Sequence, residues 1–196
     1  MREFLSTLPH TFIPLFVAID LFWLIPLFLG LTAEVDEARR KSIVAQSVLT
    51  ALGASVAFVA VGEFMFGVIG ITADDFKVAG GILLLIIAVN DIMGGQERTR
   101  GQQETLGVVP IGVPLIVGPA VLTTILVLTE HYGVVATLVG LVLNLALVWA
   151  GLLGATAITR LVGLKGIMAL SKIMAILLAA IAVMMVRLGV EGLLGP

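Results

Sequence analysis

The sequence of 196 residues has no cysteine and two histidines. Disulfides, thiolate nucleophiles and Cys-ligated metals are thereby excluded, and His10 and His131, far apart in the chain, give no ground for a metal centre. Walker-type loops, HExxH and GxSxG are missing too, so nothing supports ATP-driven or common hydrolytic chemistry. Charge is scarce: 12% of residues are Asp, Glu, Lys or Arg, against roughly 25% in soluble domains. A net charge of −2 gives no reason to expect nucleic acid as a partner. The start, MREFLSTLPHTF, has a weakly basic head and no small-residue cleavage site, which argues against a cleaved signal peptide.

What is abundant is apolar surface. Hydrophobic residues make up 60% of the chain, with mean hydropathy +1.19. A bilayer span needs roughly 20 mostly apolar residues, and hydropathy predicts six, at Leu8–Leu31, Ile43–Phe66, Ala73–Met93, Leu106–Leu128, Gly133–Leu153 and Met168–Val190. The fold class is therefore an all-α polytopic membrane protein with six transmembrane helices, and the lipid bilayer is its solvent. Thr72 and Asp75 are spaced as a capping box at the start of the third span, and Gly94-Gly95 marks its end. Arg39, Arg40, Lys41, Arg98, Arg100, Arg160, Lys165 and Lys172 fall on one side, and Arg2, Lys77 and Arg187 on the other. This bias makes the first side cytoplasmic and puts both termini outside.

The spans divide as three plus three. LGLT at Leu29–Thr32 returns as LVLT at Leu126–Thr129, 97 positions later. Proline interrupts both runs, as Pro14 and Pro26 in the first span and Pro110, Pro114 and Pro119 in the fourth. Lys77 and Lys172 open the third and sixth. An odd number of spans per half inverts one half against the other, so residues 1–97 and 98–196 read as two inverted repeats within one membrane domain. Interrupted helices at matching positions point to a midplane site at the repeat interface.

Asp20 is the strongest single signal, a carboxylate near the middle of its span, where insertion costs about 2.5–3.5 kcal/mol. It is either a neutral Asp that locks the bundle or a site for a proton, a cation or a substrate ammonium. Gly118-Pro119 is the counterpart in the fourth span. A true break there would turn the amides near Gly118 to Ala120 toward the midplane, suited to a carboxylate; the bland alternative is a simple proline kink. Thr123 and Thr124 follow within about one turn and offer hydroxyls. Asn90 and Asp91 line an inner mouth or merely end a helix. Asn144, mid-span in the fifth, is a polar lining residue or an interhelical hydrogen bond. Glu63 reads as a solvated helix end. Gly80-Gly81 permits close helix approach, as does the stripe Ala146, Ala150 and Gly154, within the chain or in a homo-oligomer.

Four stretches, AIDLFWLIPLFLGLT, AGGILLLIIAVNDIM, VPIGVPLIVGPAVLTT and LSKIMAILLAAIAVMMV, resemble the MarC family of integral membrane proteins, related to the LysE group of amino-acid exporters. The resemblance implies six spans, inverted repeats and a prokaryotic inner membrane, with some members associated with transport of glycine and alanine. Asp20, Pro26 and Phe28 fit the family's first-span pattern, and Gly118, Pro119 and Thr123 its fourth. Leu21 stands where proline is usual and Trp23 where glycine is usual, which implies a straighter first helix or a narrower cavity. The expected function is a secondary transporter of small neutral amino acids, coupled to H⁺ or Na⁺ and needing no other cofactor, not an enzyme. The competing classes are a membrane assembly factor or sensor, which short loops disfavour, and an intramembrane enzyme using Asp20 with Asp91 as an acid pair.

Overall fold

The computed structural model describes residues 2–32, 35–70, 72–93, 112 and 116–194, with backbone alone at 2–5, 62–69, 73, 76, 91 and 119. Its elements are all helical: α1 (Arg2–Ile19), α2 (Leu21–Leu31), α3 (Glu37–Ile69), α4 (Ala73–Ile92), α5 (Pro119–Tyr132), α6 (Val134–Leu153), α7 (Ala155–Val162) and α8 (Leu164–Leu194). Four apolar helical runs are long enough to cross a membrane: Ser6–Leu31, Glu37–Val61, Val134–Leu153 and Leu164–Leu194. Lys77–Asn90 and Ala120–Tyr132 are shorter apolar helices. The expected capping box forms, with Thr72 Oγ1 accepting from the Asp75 amide at 3.1 Å and Asp75 accepting from the Thr72 amide at 2.9 Å.

Within the predicted fourth span α5 begins at Pro119, and residues 106–111 and 113–115 lie outside the described ones, as do Gly94-Gly95. Two sequence expectations change. Lys172 does not open its helix, because α8 starts at Leu164, two turns earlier. The stretch after the fifth span is a helix, α7, too short and too polar for a hydropathy window. Ala155 and Ile158 turn it onto the core while Arg160 and Leu161 stay exposed.

Burial is inverted relative to a soluble bundle. Leu49, Ile86, Leu143, Ile176 and Val183 are among many exposed large apolar residues, as suits helices in lipid. Tyr132 and Trp149 are both half-exposed; Tyr132 ends α5 beside the Gly133 turn, and Trp149 lies about 22 Å of helix rise along α6 from Val134, within the roughly 30 Å of hydrocarbon. They mark the two interfaces as aromatic residues do. Inside, α5 is sheathed on every side: Val121, Ile125 and Leu128 belong to one core cluster and Ala120 and Val127 to a second. The packed face of α1 is split in the same way, with Leu15 and Ile19 in the first cluster and Val17 in the second. These two helices pack on each other at the centre.

Glycines set the closest approaches. A Cβ at Gly81 would lie 2.7 Å from the Ala182 carbonyl, and one at Gly189 would lie 2.7 Å from the Asp74 carbonyl. Rising numbers on α4 thus meet falling numbers on α8, so the pair is antiparallel. A Cβ at Gly80 would collide with the Thr123 methyl of α5. On α6, Gly140 meets Thr11 and Gly151 meets Leu21, so α6 runs parallel to the α1–α2 run. Ala146 and Ala150, by contrast, are exposed and close no gap within the chain.

Replacing Gly81 with alanine should therefore lower stability by about 1–3 kcal/mol, since the obstacle is backbone and must shift. Gly53→Ala, in α3 with open space around the added methyl, should be neutral or stabilising. Thermal unfolding of the two variants in detergent, beside the parent, checks both.

Candidate functional site

Two helices of the interior are interrupted, and the chain solves the backbone problem differently in each. The first break is at Asp20 itself. Its φ of 45° and ψ of 69° are left-handed, the one positive φ outside glycine among the described residues. Asp and Asn tolerate this conformation because a short polar side chain bonds locally. Here Oδ1 accepts from the Trp23 amide at 3.2 Å, so the carboxylate is the N-cap of α2. The Asp20 carbonyl also accepts from the amides of Trp23 and Leu24, both at 3.1 Å.

Proline is not the cause of this break. α1 continues through Pro9 and Pro14, and α2 continues through half-buried Pro26. Of the two alternatives for Leu21 and Trp23, the helix is not straightened, since α2 starts afresh at Leu21 with Asp20 as its cap.

The second carboxylate oxygen of Asp20 accepts from Ser171 Oγ at 2.7 Å. Ser171 lies on α8 and lacked any sequence signal beyond being a hydroxyl beside Lys172 in an apolar run. Its neighbour Lys172 donates to the Ile92 carbonyl at 3.2 Å, capping the C-terminal end of α4. Leu21 touches Gly151, two residues before α6 ends and two after the interfacial Trp149. Asp20 is consequently not at mid-bundle. It sits toward the end where α4 and α6 finish, because α1, with 18 residues, already spans about 27 Å by itself. The same end carries Arg39–Lys41, Arg160, Lys165 and Lys172, and we call it the basic end.

The second break is at Gly118, extended at φ −90° and ψ −178°, with no side-chain cap. Just before it the Val117 amide donates to the Gly112 carbonyl at 3.1 Å, five residues back, a π-type turn. Pro119 then opens α5 at a position where the missing N–H costs nothing. Buried Ala120 and Val121 follow, their amides having no carbonyl four residues back in the helix. Thr123 against Gly80 sets the start of α5 near the middle of α4. Thr124 is buried and donates to its own Ala120 carbonyl at 2.8 Å, while the buried Thr123 turns its methyl toward α4.

The remaining candidates disperse. Asn144 is buried on the α1–α6 seam and donates to the Phe12 carbonyl at 3.0 Å and the Gly140 carbonyl at 2.9 Å. Asn90 is exposed near the end of α4, and the side chains of Asp91 and Glu63 lie outside the described ones. The Asp20–Asp91 acid pair thus stays a matter of sequence. His10 and His131 both approach Tyr132, with ring centroids 5.9 and 6.2 Å away; sequence distance hid that neighbourhood. Among the described residues no group of His, Cys, Asp and Glu has metal-binding geometry.

Asp20→Asn should retain the break, because asparagine keeps an acceptor for the Trp23 amide and tolerates the left-handed backbone. Asp20→Ala should cost about 1–2 kcal/mol for the strained backbone alone and about 1 kcal/mol more for the lost cap. Unfolding midpoints of the two variants, with aspartate as reference, give the ordering.

Residues 5–194 match the MarC family of integral membrane proteins. The chain is 30% identical over 195 residues to the UPF0056 membrane protein MJ1677 of Methanocaldococcus jannaschii, covering 93% of this chain and 95% of that one. It is 32% identical to MJ0972 of the same organism, covering 94% and 86%. Over 174 residues it is 29% identical to the inner membrane protein YhgN of Escherichia coli, covering 85% and 87%. No solved structure matches. With nearly its whole length matched and its helices disposed for lipid, the chain is a multi-pass integral membrane protein and belongs to the MarC family, of which the Escherichia coli relative YhgN is an inner membrane protein.

Proposed function

We propose that the protein is a secondary transporter of small neutral amino acids of the glycine and alanine kind, coupled to H⁺ or Na⁺. It is built, in this reading, from two inverted three-helix halves, with the basic end cytoplasmic and both termini outside. The observation that carries the proposal is the interruption of both interior helices, one at a carboxylate and one at an uncapped helix N-terminus. Irregular backbone at membrane depth is tolerated where it is buried in protein or lines a wet path. A transporter has a use for both.

The helix directions fit inversion. The third and sixth spans, α4 and α8, are antiparallel, and the first and fifth, α1–α2 and α6, are parallel. The 97-residue offset carries Leu21, the first residue of α2, onto Gly118. It also carries Thr32 onto Thr129, both buried near the ends of their helices.

The division of labour follows from charge. Amides of Ala120 and Val121, with the positive end of the α5 dipole, suit a substrate carboxylate. Asp20, nearer the basic end, meets the ammonium or the coupling proton on the way between that side and the amides. Ser171 holds the carboxylate in place. Rocking of one half against the other would then alternate access.

Counterflow of labelled alanine and glycine into liposomes, wild type beside Asp20→Asn, tests this. Wild-type counterflow should saturate and depend on pH, and the variant should lose much of that pH dependence while remaining folded. A variant indistinguishable from wild type removes Asp20 from the cycle. No counterflow by well-folded wild type removes the amino-acid assignment.

A further inference from the structure

The end of the bundle opposite the basic one holds a charged cluster that the site above does not use. Lys77 is 5% exposed, although it lies one turn into α4, where the helix dipole disfavours a cation. Two carboxylates hold it. Asp74, on the same helix, receives Nζ at 2.8 Å; Glu130, 53 residues away near the C-terminal end of α5, receives it at 3.2 and 3.3 Å. The Glu130 contact therefore ties α5 to α4. The Lys41–Glu37 pair, by comparison, is exposed and lies within a single helix, so it ties no two helices together.

Three further observations give this tie a mechanical meaning. First, α5 is a short rod with a break at each end. Gly118 is extended at one end, and Gly133, with φ 81° and ψ 159°, turns the chain into α6 at the other. Only glycine takes that second conformation without strain. Second, about one turn after its start α5 is pressed against Gly80 through the Thr123 methyl, a contact of shape alone. Third, α8 closes around the cluster: a Cβ on Gly192 would collide with the Asp74 carboxylate. At the basic end Arg40 donates to the Thr32 carbonyl at 2.8 Å and Lys172 to the Ile92 carbonyl at 3.2 Å.

We infer that the Lys77–Glu130 ion pair is a latch that holds the C-terminal end of α5 against α4, and that its release opens the bundle at the end opposite the basic one. A partly exposed pair is suited to this task. Glu130 retains 40% side-chain exposure and Asp74 30%, whereas Lys77 retains 6%. When Glu130 swings out to water, Asp74 stays beside Lys77, so opening does not strand a buried cation without a counter-charge. An isolated buried pair would make the same step far more costly. Asp74 is thus the resident partner and Glu130 the detachable one.

The role as an outer gate rests on the transporter reading; the opening itself does not, and it is measured without any substrate. The natural absence of cysteine makes the measurement clean. Thr129, adjacent to Glu130, is 9% exposed and its hydroxyl is buried without a hydrogen-bond partner, so Thr129→Cys is a mild reporter. With that reporter in nanodiscs, labelling by a charged maleimide should be slow in the parent. Glu130→Gln should raise the rate about fivefold, the effect of losing one partly exposed pair. Asp74→Asn should leave it near the parent value, because Lys77 keeps Glu130. An unchanged rate in Glu130→Gln overturns the latch, and so does an equal rise in Asp74→Asn, which would mean general loosening. If Glu130→Gln fails to elute as a monodisperse species, Glu130→Asp is measured instead. It keeps the charge one methylene short of Lys77, and an unchanged rate there overturns the latch equally. Loss of counterflow with the labelling pattern intact would count against the transported substrate and leave the latch standing.

Discussion

In hydrocarbon an amide or carbonyl without a partner costs several kcal/mol, and the rest of this structure depends on how that cost is met where the interior helices break. At Asp20 the side chain caps the new helix and the backbone carbonyl takes two amides. At Gly118 a π-type turn from Gly112 carries the chain to the break, and proline removes a donor that would have had no acceptor. Each break is enclosed by other helices, so α1 and α5 are central and α3, α4, α6 and α8 meet the lipid. A less enclosed position would not support irregular backbone at all. Centrality of the two broken helices is a consequence of their being broken.

Enclosure requires close contact, and lipid tails supply no hydrophobic force to press helices together. Shape does the work instead. Gly81 and Gly189 bring α4 and α8 backbone to backbone, and Gly140 and Gly151 seat Thr11 and Leu21 on α6. Among the described residues the polar bonds that cross between helices include Ser171 to Asp20, Lys172 to Ile92, Arg40 to Thr32 and Lys77 to Glu130 toward the ends, and Asn144 to Phe12 on the α1–α6 seam. The middle is held mainly by fit, and the charged ties stand at the ends. Contacts of fit slide at small cost, whereas ion pairs make or break, which is why the ends are where discrete states can be set.

Much of this was legible in the sequence, and the limits have physical causes. Hydropathy finds the apolar runs because each helix is exposed to lipid over much of its length. The Thr72–Asp75 box and the Gly80-Gly81 approach are local or nearly so, and both form as read. Depth within the bundle is not local. Asp20 is in the middle of its apolar run yet toward the end of α6, because α1 runs for 18 residues before the break. Proline content misdirects for a similar reason: Pro9, Pro14 and Pro26 stay inside helices, and only the left-handed backbone at Asp20 breaks the first run. Ser171 and the Lys77–Glu130 contact unite residues 151 and 53 positions apart. No single-sequence pattern encodes such pairings. The same blindness separated His10 from His131, which meet around Tyr132.

The two breaks differ in geometry and in chemistry, and the difference matters for the proposed substrate. Two copies of one break would present two like ends, both acidic or both amide-rich. A neutral amino acid carries one charge of each sign and gains nothing from a second like end. Here one break keeps a carboxylate and the other exposes helix amides. They also stand at different levels, since Asp20 is near the end of α4 and Pro119 near its middle, about 10 Å apart by helix rise. That exceeds the length of glycine or alanine, so in the proposed transport cycle the two ends would act in succession and not together. The acid, on the basic side, would exchange a cation or proton with solution. The amides, where α5 is sheathed on every side, would hold an anion away from water. A path ordered in that way would separate coupling from recognition.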